Sequence, residues 1–168
     1  HVIEPRARVC AAIVTVPGGC DTLMCSTYLQ CGVGLNDRNI DILHSMGVSL
    51  TTWNRAFIVG GDFNMEPQVF ETSGMAAHVS ATIVAPNAPR GTCTTAEHGT
   101  TLNYFLVDNQ LVSGLADVRV NHMAGLATHR PVSIGFHPRL ASICAKYLQA
   151  PEQIDTQRKI GPLWQSPK

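Results

Sequence analysis

FIVGGDFNMEP, residues 57–67, runs from a short apolar segment through two glycines into Asp62, Phe63 and Asn64, and then to a Met-Glu-Pro that looks like a helix start. The continuous apolar run AFIVG is what a strand covered on both faces requires. Pro67 suits the first turn of a helix, where the missing N–H would be unpaired anyway. Asp62 and Asn64 are two residues apart, so in an extended segment they project to the same side. At the end of a buried strand that side is a crevice, and Gly60 and Gly61 let backbone or ligand come close. One carboxylate to align a water or a metal, with one amide to hold a phosphoryl oxygen, suits phosphodiester hydrolysis. The same pair also suits a strand-to-helix turn in which both side chains bond local backbone. Pattern alone leaves both readings open.

Upstream, ARVCAAIVTV and DTLMCSTYL are β-branched apolar runs joined by Pro17, Gly18 and Gly19, which predicts a hairpin. Asn36 then caps a helix of about 15 residues with Ile40, Leu43, Gly47 and Leu50 at helical spacing. Downstream, PQVFETSGMAAHV reads as one second helix and SATIVAP as a strand. After the loop NAPRGTCTTAEHG come three more candidate strands, TTLNYFLV, ADVRV and RPVSIGF. Sheet and helix alternate, as in a layered α/β domain. Residues 1–136 form this domain. Residues 137–168, with prolines at 138, 151, 162 and 167, read as an irregular tail in which only LASICAKYL has helical promise.

The chain has 168 residues, no formal net charge and only 14% charged residues, and its three lysines all lie in the tail. That excludes a basic nucleic-acid stripe and makes disorder of the first part an unsuitable description. No apolar run approaches the ~20 residues of a membrane span, and HVIEPRARV is not ordered like a signal peptide. The six cysteines match no zinc spacing. They read as free thiols of an intracellular protein, nuclear or cytoplasmic and not secreted. A chain that opens on His1 rather than Met is expected to be a processed product or a fragment.

Three further places carry polar groups at strand ends. His129, in GLATHRPVSI, stands directly before a strand, where a structural or exposed role competes with a functional one. Asn103 shares a strand face with Phe105 and Val107 and needs a partner there, either His129 or neighbouring backbone. Tyr28 ends the second strand, so its hydroxyl either reaches the same crevice or packs in the core.

TYL, GGDFN, TLNYFLV and THRPV, in that order, resemble the later part of the endonuclease/exonuclease/phosphatase family over about residues 8 to 136. The resemblance implies a four-layer α/β sandwich, two β-sheets flanked by helices, here N-terminally truncated by its first strands. It implies a divalent metal, usually magnesium, held in part by Asp62, and a phosphodiesterase acting on nucleic acid (DNA or RNA). In it Tyr28 contacts the phosphate or the attacking water, Asp62 activates that water, Asn64 holds a phosphate oxygen and His129 stabilises transition-state charge. Two departures matter. The family's His-orienting aspartate is Asn103 here, and its aspartate next to the catalytic His is Thr128. With the family's metal-binding Glu also missing, Asp62 is the one carboxylate left of four. Glu66 reads as part of the following helix start, and Arg38 and Arg130 as surface residues or phosphate contacts. The competing expectations are a retrotransposon-derived endonuclease and an inactive scaffold of the same fold, with an unrelated α/β interaction domain as a third. Missing early strands predict self-association through exposed strand edges.

Overall fold

The computed structural model describes residues 8–16, 20–95, 99–124 and 126–137. The expected turn at residues 17–19 and the tail from residue 138 onward, with its predicted helix, lie outside the described residues.

Strands β1 (Val9–Val16) and β2 (Cys20–Tyr28) pair antiparallel, as the hairpin reading requires. β2 then runs parallel to β3 (Phe57–Asp62), and the crossover between them is helix α1 (Asp37–Trp53). β5 (Asn103–Asp108) lies antiparallel to β3, and β4 (Ala81–Val84) closes the far edge, giving the order β1-β2-β3-β5-β4. β6 (Leu115–Val120) and β7 (Val132–Phe136) form a second, antiparallel sheet of two strands.

Strand alternation sorts the side chains of the large sheet into two cores. Leu23, Cys25, Phe57, Val59, Tyr104 and Leu106 face Leu43, Met46 and Leu50 of α1. Met24, Ile58, Phe105 and Val107 face Val118, Ile134 and Phe136 of the second sheet. The architecture is thus an α/β sandwich of helices, large sheet and small sheet. A helical layer outside β6 and β7 is not among the described residues.

Three expectations are corrected in detail. The predicted second helix is two short ones, α2 (Pro67–Glu71) and α3 (Met75–His78), because Gly74 takes a left-handed conformation (φ 70°) that ends the first turn run. Ile40 is 47% exposed, and α1 instead buries Asn39, Ile42, Leu43, Met46, Gly47 and Leu50. The strand predicted from Thr100 starts only at Asn103, since Thr100 bridges to Cys93 across a loop. A short helix, α4 (Asn109–Val112), follows β5 and was not anticipated.

Candidate functional site

β3 is central because it is apolar on both faces, and it ends where Asp62 brings in the first charge. Its two glycines answer to its neighbours. A Cβ on Gly60 would sit 2.7 Å from the Phe105 ring, and one on Gly61 would overlap the Thr27 carbonyl. The chain thus needs glycine just before the site so that β2 and β5 can close on β3.

At the end of β3, register aligns three polar side chains. Asp62 pairs with Tyr28 of β2 on one side and with Asn103 of β5 on the other. Residues paired across strands project from the same face, so Tyr28, Asp62 and Asn103 form the last rung of the face that packs on the second sheet.

His129 joins the rung from the loop before β7. Cys93 forms isolated bridges with both Thr100 and His129, and the Arg130 N–H donates to the Thr92 carbonyl at 2.7 Å. The imidazole Nδ1 lies 3.2 Å from Asn103 Oδ1 and 3.7 Å from Asp62 Oδ2. Asn103 is therefore partnered by the histidine rather than by neighbouring backbone. An amide oxygen facing Nδ1 makes Nδ1–H the donor, which leaves Nε2 as the ring nitrogen turned away from Asn103.

Asp62 and Asn64 also form a local turn. Asp62 Oδ1 accepts from the Asn64 backbone N–H at 3.0 Å, while the Asn64 side-chain Nδ2 donates to the Leu29 carbonyl at 2.8 Å. Asn64 has a positive φ of 51°, which asparagine tolerates better than most residues. The local-turn alternative read from the sequence is thus present, while the other Asp62 oxygen, Oδ2, faces His129. The Asn64 amide holds the Leu29 carbonyl and also reaches the Asp62 carboxylate. Burial raises the Asp62 carboxyl above the usual range, opposed by the Asn64 backbone N–H, by His129 and by the Asn64 side chain.

Tyr28 is 51% exposed and carries the Arg8 guanidinium over its ring, 5.0 Å from the centroid. Glu66 is the N-cap residue of α2 without a side-chain capping bond. Arg130 donates to the carbonyls of Arg90 and Gly91 and so ties the loop before β7 to the loop after β4. Arg38 is half-buried in the first turn of α1.

Thr92 is the residue that the sequence reading passed over. It is fully buried, and its hydroxyl accepts from the backbone N–H groups of Leu102 and Asn103, each at 2.9 Å. It stands in a loop rich in proline, glycine and threonine, where periodicity carries no signal. Asn39 was missed likewise: its amide fastens the loop after β2 through Gln30 and Gly34.

Among the described residues no three His, Cys, Asp or Glu side chains stand where they could hold a metal. Magnesium takes hard oxygen ligands, commonly with one or two carboxylates. Among the described residues Asp62 is the one carboxylate of the rung and one of its oxygens already accepts from Asn64, so the described donor set does not fit a magnesium site. A cavity of about 500 Å³ lies elsewhere, between α1 and α3, and no residue of the rung lines it.

No family model matches the chain, and no curated protein matches it. Solved structures do. The chain is similar to the 3' phosphatase NExo from Neisseria, solved with a product DNA hairpin, at 18% identity and a TM-score of 0.59 over 80% of this chain. It is similar to the endonuclease domain of TRAS1, a telomere-specific non-LTR retrotransposon, at 11% identity and a TM-score of 0.66 over 81%. It is also similar to an AP endonuclease from Archaeoglobus fulgidus, at 14% identity and a TM-score of 0.59 over 79%. The chain spans 66% of the length of each of these three. The fold is that of the endonuclease/exonuclease/phosphatase structures, as the ordered motifs indicated.

Proposed function

We propose that this chain carries the site of a phosphodiester hydrolase acting on nucleic acid. The observation behind the proposal is the rung Tyr28, Asp62 and Asn103, with His129 within 3.7 Å of two of its members. The names of the similar structures, nucleases and a DNA 3' phosphatase, supply the substrate class.

In this reading the phosphate lies over the rung. The Tyr28 hydroxyl donates to one of its oxygens, Arg8 adds positive charge beside Tyr28, and Asn64 holds the Asp62 carboxylate in place. Asp62 Oδ2 accepts from the attacking water. Asn103 accepts from Nδ1–H and so orients the ring with Nε2 toward the phosphate, where the imidazolium Nε2–H donates to a phosphate oxygen. Asp62 supplies the negative charge that an asparagine cannot give the imidazolium. Such groups act by positioning and electrostatics. A magnesium ion would add Lewis acidity to this chemistry, but its remaining ligands are not among the described residues.

Nicking of supercoiled plasmid and of an abasic-site oligonucleotide, with magnesium and with EDTA, tests the proposal. Asp62→Ala is expected to lower cleavage by about 10²-fold or more. Equal cleavage by both proteins would overturn it. The second reading, an inactive scaffold, draws on Asn103 and Thr128 standing where the resemblance puts aspartates; a folded wild type without cleavage would favour it. A reverse-transcriptase frame following in the gene would support a retrotransposon origin.

An intracellular setting, nuclear or cytoplasmic, belongs to the same proposal. Cys10, Cys25, Cys31 and Cys93 are free thiols, as suits a reducing compartment. Self-association through β1 does too, for this edge strand has Ile13 48% and Val14 42% exposed. A single sharp monomer peak in size-exclusion chromatography would count against it.

A further inference from the structure

The Asn103–His129 contact joins two segments that are 26 residues apart, and a hydrogen bond of 3.2 Å between side chains does not hold two segments in place. Backbone bonds do so, and they converge on Thr92. Its N–H donates to the Thr100 carbonyl at 2.8 Å. Its hydroxyl oxygen accepts from two consecutive N–H groups, Leu102 and Asn103, at the point where β5 begins. Its carbonyl accepts from the N–H of Arg130, the residue after His129. Next to it, Gly91 has a φ of 59° and is so close to the Thr100 backbone that a Cβ would overlap it. Thr92 thus touches the neighbour of His129 through its carbonyl and Asn103 itself through its hydroxyl, while its side chain is wholly shielded from solvent.

We infer that Thr92 is a positioning residue that sets the distance and orientation of the Asn103–His129 pair. The inference rests on the proposed reading of those two residues as working groups. A valine has the same shape as threonine but cannot accept a hydrogen bond. Thr92→Val removes the acceptor that the part-buried Leu102 and Asn103 N–H groups share, so the start of β5 must shift to find partners. Serine keeps the acceptor and loses only the methyl.

Two readouts on the full chain test this. In ¹⁵N-resolved NMR, the His129 Nδ1–H held by Asn103 is expected as a resonance sheltered from water exchange. Thr92→Val is expected to abolish it and Thr92→Ser to keep it; its persistence in Thr92→Val would overturn the inference. In the plasmid assay, Thr92→Val is expected to lower kcat at least tenfold with KM within twofold, and Thr92→Ser to stay within threefold of wild type. Equal kcat values for Thr92→Val and wild type would also overturn it. If Thr92→Val does not fold, Thr92→Ala replaces it: a resonance kept in Ser and lost in Ala supports the inference, and the same behaviour in both overturns it. A wild type that does not cleave would remove the proposed function while the imidazole resonance still decides the place of Thr92.

Discussion

The two faces of the large sheet differ most where they are nearest to each other. On the helix side of its last rungs stand Thr27, Gly61 and Tyr104, followed by Phe63. Phe63 stacks on Tyr104 with centroids 4.3 Å apart and meets Phe70 edge-on at 5.0 Å. One residue away on the opposite side stand Tyr28, Asp62 and Asn103. The aromatic side is dry, with Phe63, Phe70 and Tyr104 at most 1% exposed, and burial raises the Tyr104 phenol above its usual range. On the polar side Tyr28 and His129 reach solvent while Asp62 between them stays largely covered. A strand's period of two thus fixes the candidate site against a rigid aromatic layer, which can hold a polar group where a flexible loop cannot.

Breaking the dry side should cost stability, and breaking the open side should cost function. Phe63→Ala should have the largest effect, a loss of about 3–5 kcal/mol in urea unfolding, because it removes the ring that both other aromatics touch. The glycine pair sharpens the contrast. Gly61→Ala drives a Cβ into the Thr27 backbone, and Gly60→Ala meets only the Phe105 ring. Gly61→Ala should cost about 3 kcal/mol and Gly60→Ala about 1 kcal/mol, compared by their urea midpoints.

Cys25, on the helix side, sets a pH dependence. Burial pushes its thiol up to about 12 from an ordinary value of 9.0, with Cys10 nearby adding to the shift. The raised value means that its contribution is fully present below about pH 9 and is lost as pH rises toward 12. The expected loss is on the order of a few kcal/mol. Cys25→Ala should make the fall in stability over that window shallower, measured by urea unfolding at successive pH values.

The smallest effect is expected on the open side. Burial raises the Asp62 carboxyl, so ionising it opposes folding at neutral pH. Asp62→Asn keeps an oxygen for the Asn64 N–H and removes that charge. It should gain up to about 1 kcal/mol near pH 7, and the gain should vanish below the ordinary aspartate range. A thermal melt at both pH values checks it.

What could be read in advance follows the same division. The apolar run 57–60, the β-branched runs of the first two strands and the cap at Asn36 act through local rules, and they located β1, β2, α1 and β3. The alternation of Asn103 to Val107 placed Asn103 correctly on the face of Phe105 and Val107. The order of the motifs gave the fold. Ile40 misled because helical spacing does not say which of two adjacent apolar stripes meets the sheet; Ile42 and Met46 took that place. Gly74 was read as part of a helix, and its left-handed conformation depends on how α3 folds back. Thr92 and Asn39 were illegible because their hydrogen bonds go to backbone of segments brought near only by tertiary folding.

The contact between Asn103 and His129 is the centre of this account, and Asn103→Asp tests it most directly. The loss of an aspartate in such a position costs about 10⁴ in a serine-protease triad. Restoring one beside His129 should therefore raise the rate of plasmid cleavage at least tenfold, with the fold intact by thermal melt. An unchanged or lower rate would contradict the claim that this histidine and the rung beside it work as one site.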